Sequence, residues 1–84
     1  MFKQKLTAPA LVKLGQGILY SIEVNSSMPN TRITFWDNTT PSEKLILSHF
    51  TLPARKYKSL IDLQFTTALF VEIDGEAEIE VVVD

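Results

Sequence analysis

The sequence predicts an all-β protein: a compact antiparallel β-sandwich, jelly-roll-like or Ig-like, of about seven to eight strands. Three observations predict it. Turn signals recur every eight to twelve residues: Ala8-Pro9, Gly15-Gln16-Gly17, Asn25 to Asn30 with Pro29, Asp37 to Ser42 with Pro41, Pro53 and Asp74-Gly75. The runs between these signals are rich in Ile, Val, Thr, Phe and Tyr, the residues that fit a pleated, half-buried surface. No window carries a helical apolar repeat of useful length.

Each element follows in order. Phe2-Lys3-Gln4-Lys5-Leu6-Thr7 alternates, so residues 1–9 form either an edge strand of the sandwich or an arm reaching to a neighbour, with residues 10–84 as the single domain. As an arm it could be deleted without unfolding the rest. Ala10–Leu14 is a short second run. In Ile18–Asn25, alternation places Tyr20, Ile22 and Val24 inside and Ser21, Glu23 and Asn25 outside. In Thr31–Trp36, Ile33 and Phe35 point in while Arg32, Thr34 and Trp36 point out. Lys44–Leu52 is ambiguous, because Leu45, Leu47 and His49 compete with Ile46, Phe50 and Leu52 for the inner face. Tyr57–Leu63 is the next run.

The last sixteen residues are the clearest. Leu69, Val71 and Ile73 alternate with Phe70, Glu72 and Asp74; Ala77, Ile79, Val81 and Val83 alternate with Glu76, Glu78, Glu80 and Val82. Across Asp74-Gly75 this reads as a hairpin with one dry and one acidic face, closed by an odd-length loop.

Eighty-four residues make one domain that removes only roughly 60–65% of its unfolded surface from water. With no cysteine, no disulfide or thiolate metal site supports the thin core, so association with partners is expected. Met1 to Lys5 and the short apolar patch broken by Pro9 do not make a signal peptide, and no apolar run approaches the ~20 residues of a membrane helix. A soluble chain beginning at Met1 is expected.

The net charge of −2 conceals segregation. Eight bases and three acids precede Ser59; seven acids and no base follow. Either the two halves fold against each other, or the asymmetry guides docking on another protein.

Few residues offer chemistry. His49 is the one histidine, and Ser48 beside it on a strand faces the other way, so no nucleophile–base pair forms. No catalytic, metal or cofactor residues are assigned. Asp37-Asn38-Thr39-Thr40, or Glu72, Glu78 and Glu80 on a common hairpin face, could attract calcium, but neither has a recognised ligand spacing. Arg55-Lys56-Tyr57-Lys58 is too short for a nucleic-acid stripe. Trp36 is either an exposed contact patch or a cover for the sheet end beneath the Asn38–Ser42 loop.

Gly17-Ile18-Leu19-Tyr20-Ser21-Ile22-Glu23-Val24, reading G-x-L-Y-x-I-x-V, and Thr34-Phe35-Trp36-Asp37-Asn38-Thr39, reading x-F/Y-x-D-x-T, resemble the opening strand and a strand and loop of small virion proteins of tailed bacteriophages. Leu52-Pro53 falls where a proline often precedes a strand, and Phe65-Thr66-Thr67-Ala68-Leu69 is similar to F-T-T-G-L. The glycine of that last motif is Ala68 here, which would be strained at positive φ.

The resemblance implies a non-enzymatic β-sandwich on the phage head, a capsid decoration (cement) protein that bridges major capsid subunits or other virion proteins. The chain would be made in the host cytoplasm, form a homo-oligomer (a trimer among the options), and bind neither nucleic acid nor membrane. The alternative is a carbohydrate- or host-surface-binding module of a tail or fibre, with Trp36 in a groove. Expected partner-binding residues are Phe2, Lys3, Lys5, Leu6, Trp36, Asp37, Glu72, Glu78 and Glu80.

Overall fold

The computed structural model describes residues 1–41 and 46–84, and all of its regular elements are strands. They are β1 (Phe2–Leu6), β2 (Ala10–Leu14), β3 (Gly17–Ser27), β4 (Arg32–Trp36), β5 (Ile46–Thr51), β6 (Tyr57–Phe65), β7 (Ala68–Asp74) and β8 (Ala77–Val83). These eight strands occupy the eight alternating runs of the sequence, in the same order. Lys44 and Leu45, part of the ambiguous fifth run, lie outside the described residues.

The strands form two antiparallel sheets, ordered β1-β8-β3-β6 and β2-β7-β4-β5. One rule generates both: β1 pairs β8, β2 pairs β7, β3 pairs β6, and β4 pairs β5. The chain is a long antiparallel ribbon with β4–β5 at its closed end, rolled up so that β3·β8 and β4·β7 complete the sheets. This is the jelly-roll order, which decides between the two sandwich types. Every consecutive connection except β4–β5 crosses from one sheet to the other.

The hairpin predicted across Asp74-Gly75 is therefore not formed. β7 lies between β2 and β4, and β8 between β1 and β3. The inward faces are nonetheless as the alternation indicates. Leu69, Val71 and Ile73 meet Ile79, Val81 and Val83 across the core, joined by Leu19, Ile22, Val24, Ile33, Phe35 and Phe65. Alternation fixes the side a residue faces; it does not choose the strand alongside. The turn itself is built for a corner. Gly75 has φ of 125°, and a Cβ there would lie 2.6 Å from the Thr31 hydroxyl and 3.0 Å from its Cα.

Residues 1–9 are not an arm. β1 pairs with β8 from Phe2↔Val83 to Leu6↔Ile79, and the Leu6 side chain belongs to the core. Two face assignments change because of β-bulges, which insert a residue and swap the sides that follow. The ladders of β3 slip at Tyr20, so Leu19 rather than Tyr20 is fully buried, and Ser21 is covered. The β4·β5 ladder slips at Leu47, so Leu47 and Phe50 both pack against the core while His49 faces out. Neither alternating set in that run was the inner one.

Candidate docking surface

Residues directly opposite on neighbouring strands share a face, so the registers lay out each outer surface as rows. Across the first sheet runs Lys5, Glu80, Glu23, Lys58, base to acid to acid to base. Beside it runs Lys3, Val82, Ser21, Leu60. Across the second sheet runs an apolar row, Leu11, Phe70, Trp36, Ile46. Bordering that row, Arg32, Thr34, His49, Glu72 and Asp74 together with Trp36 and Ile46 line an open depression of about 270 Å³.

The expected partner-binding residues separate into distinct places. Lys3 lies 3.8 Å from Glu80 and Lys5 3.8 Å from Glu78, within the same chain. Asn25 also donates to Glu80, at 3.2 Å. Charges segregated along the sequence are thus brought together by pairing β1 with β8. These pairs are exposed and stabilise little. Phe2 sits exposed on the same edge, while Leu6 is in the core and offers no surface. Glu72 is on the opposite outer surface from Glu78 and Glu80, because β7 and β8 belong to different sheets. The single acidic face does not exist.

Trp36 points outward, as alternation requires, but is only 6% exposed and lies in register between Phe70 and Ile46. It is a cover, not an exposed contact. Its Nε1 has no hydrogen-bond partner among the described residues.

Asp37 is a staple. One carboxylate oxygen accepts the N–H and hydroxyl of Thr66, and the other accepts the N–H groups of Thr67 and Ala68. Partial burial pushes this carboxyl up, but the hydrogen bonds from Thr66, Thr67 and Ala68 outweigh it and hold it below the ordinary range. With both oxygens engaged by the β6–β7 corner, Asp37 is not a free calcium ligand. Ala68 is buried and is not among the positive-φ residues, Asn30 and Asp62, so it carries no strain from the missing glycine.

In the basic segment, Arg55 lies over the Tyr57 ring at 5.3 Å, and Lys58 stands opposite Glu23 in the β3·β6 register. His49 Nδ1 is 3.4 Å from an Arg32 guanidinium nitrogen on the second sheet's outer face.

The surface that sequence reasoning missed is at the sheet edges. Exposed large apolar residues occur on each of the four edge strands: Phe2 on β1, Leu11 and Leu14 on β2, Ile46 on β5 and Leu60 on β6. Between the β5 and β6 edges lies a mostly apolar groove of about 520 Å³ lined by Phe50, Leu52, Pro53, Tyr57 and Ile61. One signal was available. In Lys58-Ser59-Leu60-Ile61-Asp62, Leu60 is an apolar residue on the parity otherwise held by charges.

Compared with protein-family models, with curated proteins and with solved structures, the chain matches none.

Proposed function

We propose that this chain is a non-catalytic structural protein of a bacteriophage virion, a capsid decoration (cement) protein that bridges major capsid subunits. The observation that carries the docking role is the placement of large exposed apolar side chains on all four edge strands. β1 and β2, joined by only Thr7–Pro9, make one flank; β5 and β6, joined by the groove, make the other. A small body that is sticky on opposed flanks suits a bridge between neighbours.

Strands fix the backbone beneath these side chains, so the entropy lost on contact is confined to their rotamers. Each patch is small, and burying it contributes about 25 cal/mol per Å². Repetition over many equivalent lattice sites multiplies such modest contacts. The phage assignment is supported by the resemblance of the Gly17–Val24, Thr34–Thr39 and Phe65–Leu69 segments. Residues of all three segments meet at one end of the sandwich: a Cβ on Gly17 would collide with the Phe65 ring, and Asp37 holds Thr66. The glycan-binding alternative calls for Trp36 exposed in a groove; Trp36 borders the depression on the second sheet but is only 6% exposed, which favours the docking reading.

The test is quantitative mass spectrometry of purified particles. The chain is expected in many copies relative to the major capsid protein, and particles stripped of it should lose resistance to heat and regain it on adding the protein back. Absence from the particles overturns the proposal.

A further inference from the structure

We propose that β6 is a docking edge for a second copy of this chain, paired antiparallel about a two-fold axis centred on Leu60. This goes beyond the virion assignment and does not depend on it, since it concerns the isolated protein.

The first observation is the edge itself. β6 is nine residues long, whereas the other edge strands are five (β1), five (β2) and six (β5) residues. A long open edge exposes unpaired backbone N–H and C=O groups, and proteins guard or fill such edges. β1 is guarded by Lys3 and Lys5. β6 also carries charges, Lys58 and Asp62, but sets Leu60, 83% exposed, between them near its middle.

The second observation is charge arrangement. Lys58 and Asp62 stand two residues to either side of Leu60, both exposed and of opposite sign. In a two-fold antiparallel ladder centred on one residue, positions equally far before and after it face each other. Centring on Leu60 therefore sets Lys58 against the partner's Asp62, twice, with Leu60 against its own copy and Ser59 against the partner's Ile61. Centring on Ser59 would set Lys58 against Leu60, and centring on Ile61 would set Leu60 against Asp62. Of the three, only the Leu60 register matches charge with charge and apolar with apolar among the exposed residues 58, 60 and 62.

Asp62 has φ of 57° and lies in the bulge opposite Tyr20, so it ends the regular extended run and limits the ladder to Lys58–Asp62. Inward of the ladder lies the open groove of Phe50, Leu52, Tyr57 and Ile61, which the second copy would shield from water. The first sheet then continues across the axis as eight strands, β1-β8-β3-β6 followed by its mirror order.

Sedimentation equilibrium of the full chain over a wide concentration range tests this. The expected result is a monomer–dimer equilibrium. Leu60→Lys should abolish the dimer, and Lys58→Asp or Asp62→Lys alone should each weaken it by about tenfold through like-charge opposition. The double exchange K58D/D62K should restore most of the affinity, because the two-fold register re-forms opposite-sign pairs. Thermal melting confirms that each variant is folded, and Lys58→Asp, at an exposed position of ordinary backbone, guards against any strain at residue 62. A wild-type monomer at all concentrations, a trimer, or a dimer indifferent to Leu60→Lys and not rescued by the double exchange overturns the proposal.

Discussion

Asp37 and Thr66, twenty-nine residues apart, are joined twice through one carboxylate oxygen: it accepts the Thr66 N–H at 3.0 Å and the Thr66 hydroxyl at 3.1 Å. The other oxygen takes the Thr67 N–H at 2.8 Å and the Ala68 N–H at 3.3 Å. The end of β4 is thereby tied to the β6–β7 corner, one sheet's exit to the other's. Hydrogen bonds to a charged acceptor contribute more than neutral ones, so Asp37→Ala should cost about 2 kcal/mol, read from the urea midpoint at pH 7. Thr66→Ala removes only the hydroxyl bond and should cost less than half as much.

The same staple sets an acid dependence. The folded Asp37 carboxyl lies below its unfolded value, so the unfolded chain takes up the proton first as pH falls. Its stabilisation is complete above about pH 4 and is lost as pH drops through the lower folded value. Wild type and Asp37→Asn should therefore differ in stability at neutral pH and converge towards pH 2. A difference that persists unchanged into acid would show that the carboxylate charge is not what matters.

How far the sequence could be read follows from what each signal encodes. Period-two alternation reports facing, and it located eight strands and the buried side of β4, β7 and β8. Bulges at Tyr20 and Leu47 are invisible to it, since an inserted residue looks like any other until the partner strand is known. Asp74-Gly75 resembles a hairpin tip because both hairpins and corners need a residue tolerant of positive φ. The discriminating fact is Thr31, forty-four residues earlier, sitting under Gly75. For the site, Lys3, Lys5, Glu78 and Glu80 were legible as charges, but their mutual satisfaction was not, because it depends on β1 pairing with β8.

That corner yields a sharp stability test. Thr31 is buried, and its hydroxyl lies 2.9 Å from the Met28 carbonyl and 3.2 Å from the Glu76 carbonyl. Its own carbonyl accepts the Leu52 N–H at 2.8 Å. Gly75→Ala forces a side chain into positive φ and onto Thr31, and should destabilise by about 1–3 kcal/mol. Thr31→Val keeps the shape, loses the hydroxyl bonds, and should cost about 1–2 kcal/mol. Both are read as shifts in chemical-denaturation midpoint; no effect of Gly75→Ala would mean the corner is laxer than the contact implies.

The first strand gives an outcome opposite to that expected of an arm. Leu6 is 4% exposed within the core, and β1 covers one side of β8 from Ile79 to Val83. Leu6→Ala should cost about 2–4 kcal/mol by leaving a cavity. Deleting residues 1–7 also strips β8 of a neighbour and turns an acid-lined strand into a sheet edge. Circular dichroism should show the truncated chain losing its cooperative transition. A truncated chain that melts like the full one would return these residues to the status of an appendage.

The pairing rule itself can be tested covalently, and the chain is well suited to it because it contains no cysteine. Lys5 and Glu80 are opposite on β1 and β8, both on the outer face, within the separation that a disulfide can span. Glu72 and Glu78 flank the Asp74-Gly75 turn, and a hairpin with a loop of odd length would bring them to adjacent positions on one face. In the rolled ribbon they project from opposite surfaces of the sandwich, separated by two sheets and the core. Under mild oxidation the K5C/E80C chain should therefore close an intramolecular disulfide, seen as faster migration on a non-reducing gel, while the E72C/E78C chain should not. The reverse outcome would mean that the chain pairs its last two strands as neighbours, and the jelly-roll order, with every surface row derived from it, would fall together.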